Sequence, residues 1–130
     1  MMKKLFCILL AAALCLCLAA CGGTGTGADY TVAIVQQMDH SSLDEIREAV
    51  KAELEALAAE KGITIAYKEF NGQNDATTLN QIGTQVVSEG YDAIIPIATL
   101  AAQCMVNAAD GTGIPVVYAA ISDPAEAGVE

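Results

Sequence analysis

Apolar and polar positions along this chain switch between two periods. Residues 30–36 (YTVAIVQ) form a near-continuous apolar run with β-branched side chains, the pattern of a strand buried on both faces. Leu43, Ile46, Val50, Leu54 and Leu57 then recur at steps of three and four, which puts them on one helical face and predicts a helix over 43–61. Ser42, with Glu45 three residues later, predicts a capping box at its start, and Gly62 a stop at its end. Residues 63–70 (ITIAYKEF) predict a second strand and 71–74 (NGQN) a turn. Asp75 is the expected N-cap of a second helix that carries Leu79, Ile82 and Val86 on one face and ends at Gly90. Residues 93–98 (AIIPIA) predict a third strand, followed by a helix over 100–109 with Thr99 as its N-cap. After the turn at 110–113 (DGTG), residues 114–121 (IPVVYAAI) predict a fourth strand, and Ser122-Asp123-Pro124 opens a loop.

Strands alternating with helices imply right-handed βαβ crossovers and an α/β fold built on a doubly wound parallel sheet, a Rossmann-like lobe with strand order 2-1-3-4. In that order the first helix covers one sheet face and the other two helices cover the opposite one. The third and fourth strands then lack a helix on the first face, although both read as apolar on both sides. The fourth strand also lacks an outer neighbour, an apolar edge of the kind proteins normally cover. The lobe is therefore expected to be incomplete, with at least one further helix and strand after residue 130.

A different pattern occupies the N-terminus. Lys3 and Lys4 precede 16 uninterrupted apolar residues, Leu5 to Ala20, and Leu18-Ala19-Ala20 leads into Cys21. A basic start, a short apolar run and small residues before a cleavage point describe an export signal. A membrane span needs about 20 apolar residues, and a core helix would show a polar face. The pattern Leu-Ala-Ala-Cys resembles the bacterial lipoprotein signal, which implies cleavage after residue 20, lipid on Cys21 and an extracytoplasmic protein anchored to the cell membrane. The expected organisation is a signal peptide over 1–20, a Gly-rich tether over 21–28, and the first part of a lobe over 29–130. The tether's Gly-Thr-Gly-Thr-Gly is no phosphate loop, because no strand precedes it and no Lys lies in it.

Charge narrows the partners. The chain holds 6 basic and 16 acidic residues, and loss of Lys3 and Lys4 with the signal changes the net charge from −10 to −12. Such a chain has no basic patch for nucleic acid or for anionic lipid, so acyl chains on Cys21 would carry the membrane attachment. Cys7, Cys15 and Cys17 leave with the signal and Cys21 takes lipid, which leaves Cys104 without an intrachain disulfide partner.

In open parallel sheets, ligands sit beyond the carboxyl ends of the strands where strand order reverses. Three polar loops are expected there: 36–42 (QQMDHSS), Ala98-Thr99, and Ser122-Asp123-Pro124. Gln36 and His40 are candidate ligand donors and acceptors, against the plainer reading of a solvated loop with capping serines. Thr99 offers a hydroxyl beside helix amides, a seat for a carboxylate, though a capping threonine needs no ligand. Ser122 lies in the third loop, and Asp123 is either an Asp-Pro turn residue or an acceptor for a ligand ammonium. His40 has no second His or nearby Cys to make a metal site. Cys104 falls inside the third helix, away from the helix-terminus activation that reactive thiols use, and reads as a buried structural residue. Neither a cofactor nor a catalysed reaction is expected.

Residues 33–43 (AIVQQMDHSSL), 93–103 (AIIPIATLAAQ) and 117–128 (VYAAISDPAEAG), in this order and behind a lipobox, resemble the lipoprotein substrate-binding components of ABC transporters, in particular the tryptophan- and tyrosine-type group. The resemblance implies a periplasmic-binding-protein-like clam shell, a small solute trapped between two lobes, and delivery to an ABC permease. It also implies that this chain is the first part of one lobe of a longer protein. The family carries Pro where Ser41 and Leu100 stand here. On this reading the chain is expected to capture a small molecule such as an amino acid through Gln36, His40, Thr99, Ser122 and Asp123. An exported sensory domain, a lipoprotein hydrolase with its nucleophile elsewhere, and a truncated non-functional product are the alternatives.

Overall fold

A computed structural model describes residues 27–129 of the chain. The expected export signal, Cys21 and the expected tether up to residue 26 lie outside the described residues. Three strands form a parallel sheet in the order β2-β1-β3: β1 is Tyr30–Gln36, β2 Ile65–Asn71 and β3 Ala93–Ile97. The helices are α1 (Ser41–Lys61), α2 (Ala76–Glu89), α3 (Thr99–Ala109) and a short α4 (Pro124–Ala127). The register sets Gln36 beside Asn71 on one flank and Ile97 on the other, so the carboxyl ends of all three strands finish level.

The two faces of β1 divide the core by strand parity. Ala33 and Val35 pack with Leu79, Ile82 and Val86 of α2 and with Ala101, Cys104 and Met105 of α3. Val32 and Ile34 face the other way, toward Leu43, Ile46, Val50 and Leu54 of α1. The periodicity expected of both helices is therefore the periodicity that packs. Gly83 lets α2 and α3 approach closely, since a Cβ there would lie 2.7 Å from the Ala108 Cβ. Cys104 is buried within α3, and that burial raises its thiol pKa, as expected of a structural rather than a reactive cysteine.

Several element ends differ from expectation. Helix α1 begins at Ser41 and is capped by His40, not by a box of Ser42 and Glu45. His40 has an extended backbone (φ −160°), its carbonyl accepts the Asp44 amide at 2.9 Å, and its Nδ1 accepts the Ser42 amide at 3.3 Å. Ser42 is thus already inside the first turn. Asp75 does cap α2, with Oδ1 accepting the Thr78 amide at 2.7 Å, and Gly62 and Gly90 end α1 and α2 in left-handed conformations. Thr99 is the first residue of α3 rather than its cap. Ala98 holds the cap position at φ 79° and ψ 164° and supplies no side-chain bond.

The expected fourth strand is a pair of isolated parallel bridges, Ile94 to Val116 and Ile97 to Ala119. The segment lies where the order 2-1-3-4 puts it. Ile94 donates to the Pro115 carbonyl at 3.0 Å and accepts from Val117 at 2.9 Å, while Pro96 accepts from Ala119 at 2.9 Å. The rung between them requires an N–H on residue 96, and proline has none. Ala120, at φ 59°, then turns the chain away. On the α1 face, β3 and this segment border an apolar groove of about 200 Å³ lined by Val50, Leu54, Leu57, Ile95, Val117 and Ala119. That is the face on which the sequence leaves β3 without a helix.

Candidate functional site

At the carboxyl ends of the strands, hydrogen bonds join loops that lie far apart in sequence. The side chain of Gln37 spans two of them: its Oε1 accepts the Leu100 amide at 2.9 Å, and its Nε2 donates to Asn74 Oδ1 at 3.0 Å. Its backbone amide donates to the Ile97 carbonyl at 3.1 Å, and its carbonyl accepts the Asn74 amide at 2.8 Å. Asn71 Nδ2 donates to Asp39 Oδ1 at 2.5 Å. The loop after β2 therefore belongs to this edge as firmly as the loop after β1.

The third loop is held beside the second. Ala98 donates its amide to the Ala119 carbonyl at 3.0 Å, and Gln103 Nε2 donates to the Ala127 carbonyl at 2.8 Å. These two bonds bracket Ser122 and Asp123 and keep their turn alongside α3. Asp123 caps α4, with Oδ1 accepting the Glu126 amide at 3.0 Å. Its role as a turn residue is thus real, and the exposed carboxylate remains at the edge. His40, Thr99 and Ser122 are also exposed there.

Gln36 is placed differently. Only 1% of it is exposed. Its Nε2 donates to the Met38 carbonyl at 2.7 Å and to Asp44 Oδ1 at 2.8 Å, and its Oε1 accepts from Arg47 Nη1 at 3.0 Å. Every polar atom of the side chain is engaged within the protein. Strand parity is the signal for this: Gln36 follows Val32 and Ile34 onto the α1 face, where Asp44 and Arg47 sit one turn apart. Arg47 also pairs with Glu69 at 3.1 Å, and Lys51 with Glu69 at 2.9 Å, tying α1 to β2 behind the edge.

His40, Thr99, Ser122 and Asp123 thus lie exposed in the loops beyond the carboxyl ends of the strands, while Gln36 is buried. Sequence reading missed Gln37, Asn71 and Asn74. Parity also points to Gln37, the next residue after Gln36, as facing the α3 side. Asn71 to Asn74 read as a plain turn because its left-handed residues, Gln73 at φ 52° and Asn74 at φ 55°, are what any tight turn needs.

Comparisons with known proteins bear on the family and the fold. A family model described as ABC transporter substrate binding protein matches residues 31–129. A tyrosine-binding protein of Clostridioides difficile (strain R20291) is 35% identical over 98 residues, which cover 75% of this chain and 28% of that protein. The ligand-free, open structure of a substrate binding protein with adhesive properties from Clostridium difficile superposes with a TM-score of 0.68 at 33% identity, covering 76% of this chain and 33% of that one. A Streptococcus pneumoniae ABC domain in complex with L-Trp gives a TM-score of 0.68 at 30% identity, covering 78% and 33%. The chain therefore spans about a third or less of the length of the relatives it matches.

Proposed function

Because the chain belongs to the ABC transporter substrate-binding protein family, we propose that it forms the ligand-facing part of one lobe in an exported, lipid-anchored receptor that captures an aromatic amino acid and passes it to an ABC permease. The observation that carries this reading is the convergence of three separate polar loops on one sheet edge, bonded to one another through Gln37–Leu100 and Ala98–Ala119. Relatives named for tyrosine and bound to L-Trp support the ligand class. The leader ending in Leu-Ala-Ala-Cys supports export and a lipid on Cys21. The family is one of binding proteins, and the reading needs no catalytic residue.

An amino acid presents a carboxylate and an ammonium. The Thr99 hydroxyl at the start of α3 suits the carboxylate, because helix N-termini favour anions. Asp123 suits the ammonium through a charge-assisted hydrogen bond, while His40 and Ser122 line the edge. The buried Gln36 acts by holding α1 against the end of β1. A second lobe would close over this edge, and closure would turn binding into a surface for the permease.

The test is a thermal shift of the chain with L-tyrosine and with L-tryptophan. A ligand at about one hundred times its Kd stabilises by about 2.7 kcal/mol. Asp123→Asn keeps an acceptor for the Glu126 amide and removes the charge, so it should abolish the shift without unfolding α4. A shift that persists in Asp123→Asn removes Asp123 from the site, and no shift with either amino acid overturns the ligand class. For the anchor, Cys21→Ser should move the protein out of the membrane fraction, and retention there contradicts lipidation.

A further inference from the structure

We propose that Gln37 is the positioning residue of this edge: without touching the ligand, its side chain sets where the first turn of α3 stands relative to the 71–74 turn. The inference rests on reading that edge as the ligand face. Helix α3 has no local cap, since Ala98 supplies no side-chain bond, and the acceptor for the Leu100 amide comes from 63 residues away. A local cap would fix the helix only to its own start. Gln37 carries an acceptor and a donor on one planar amide, so the same group that holds Leu100 through Oε1 holds Asn74 through Nε2.

Both segments it joins have unusual backbones. Ala98 lies at φ 79°, and Gln73 and Asn74 at φ 52° and 55°, all outside the range that L residues prefer. Conformations of this kind persist when their surroundings over-determine them. Gly72 completes the fit: a Cβ there would stand 3.0 Å from the Gln37 carbonyl and 2.3 Å from Leu79 Cδ2, so the turn passes close beneath Gln37. Thr99, the proposed carboxylate seat, lies between Ala98 and Leu100, both bonded to other segments. Its position is therefore set by a residue on another loop.

Residue-resolved hydrogen exchange on the chain tests this without any ligand. Gln37→Ala should speed exchange of the Leu100 amide and, with it, of the Gly72 and Asn74 amides, each by about tenfold, the effect of about one hydrogen bond. The acceptors of Gly72 and Asn74 are the backbone carbonyls of Gln36 and Gln37, which the substitution retains, so their response reports the coupling. Amides of Val32 to Val35 should keep their rates. Gln37→Glu combined with Asn74→Asp retains the acceptor for Leu100 and leaves two acceptors and no donor between residues 37 and 74, so only the 71–74 turn should loosen. If Leu100 alone responds to Gln37→Ala, Gln37 is an ordinary cap and the proposal is overturned. In the binding arm, the same double variant should weaken L-tyrosine or L-tryptophan about tenfold while the amides of Val32 to Val35 keep their exchange rates, a split that a purely stabilising residue would not produce. Unchanged affinity in that variant also overturns the proposal. A wild-type chain that binds neither amino acid defeats the proposed ligand class, and the exchange result then decides Gln37 by itself.

Discussion

Arg47 Nη1 donates to Gln36 Oε1 at 3.0 Å, joining the first turns of α1 to the last residue of β1. The bond makes a buried glutamine part of the scaffold at the carboxyl end of β1. Gln36→Ala would strand the Met38 carbonyl and remove a partner from both Asp44 and Arg47. It is expected to lower stability by about 2 kcal/mol in urea melts. An unaltered midpoint would show that Gln36 does not hold α1 in place.

Ala98 lies in a region of backbone space that suits glycine, at a cost of about 1–3 kcal/mol for other residues. Glycine itself loses about 0.5–1 kcal/mol through the greater freedom of its unfolded chain. Ala98→Gly should therefore stabilise the chain by about 1 kcal/mol, or raise Tm by about 4–8 °C for a domain of this size. A lower Tm would mean that the turn carries no strain.

At the α2–α3 crossing, space rather than strain decides. A Cβ on Gly83 would meet Ala108 Cβ at 2.7 Å and Met105 Cε at 3.2 Å. The methionine can bend away and the alanine cannot. Gly83→Ala should cost about 1–3 kcal/mol, and adding Ala108→Gly should restore part of it. Equal losses in the single and double variants would place the clash elsewhere.

Acid should loosen the chain through its capping carboxylates. The Thr78 amide and then its hydroxyl hold the Asp75 carboxyl below its ordinary 3.8, and the Thr64 amide and hydroxyl do the same for Asp29. A carboxyl whose folded pKa is lowered gives stability that is complete above the unfolded value and is lost as pH falls through the folded one. Urea midpoints should therefore fall from about pH 4 downward. Asp75→Asn keeps the acceptor and removes the titration, so its midpoint should fall less steeply. Identical slopes would remove Asp75 from the acid response.

The same two kinds of information explain what could be read in advance. Leu43 to Leu57 and Leu79 to Val86 announce their helices because a repeat of three and four has one physical meaning, and Gly62, Asp75 and Gly90 mark ends through local chemistry. Thr99 and Ser42 misled for the same reason. Each is a good cap by composition, but the cap positions at those helix starts fall on Ala98, directly after β3, and on His40, at the end of the loop after β1.

The sequence by itself determined the alternation of strands and helices, the division of the core between two sheet faces, the polar character of the three edge loops and the family to which the chain belongs. Tertiary structure decided that Gln36 is buried, that Gln37 joins α3 to the 71–74 turn, and that Pro96 breaks the outermost ladder. Periodicity and capping are local and leave their mark within a few residues. A hydrogen bond between Gln37 and Leu100 spans 63 residues and leaves no local pattern, because it exists only once β1 and β3 lie side by side.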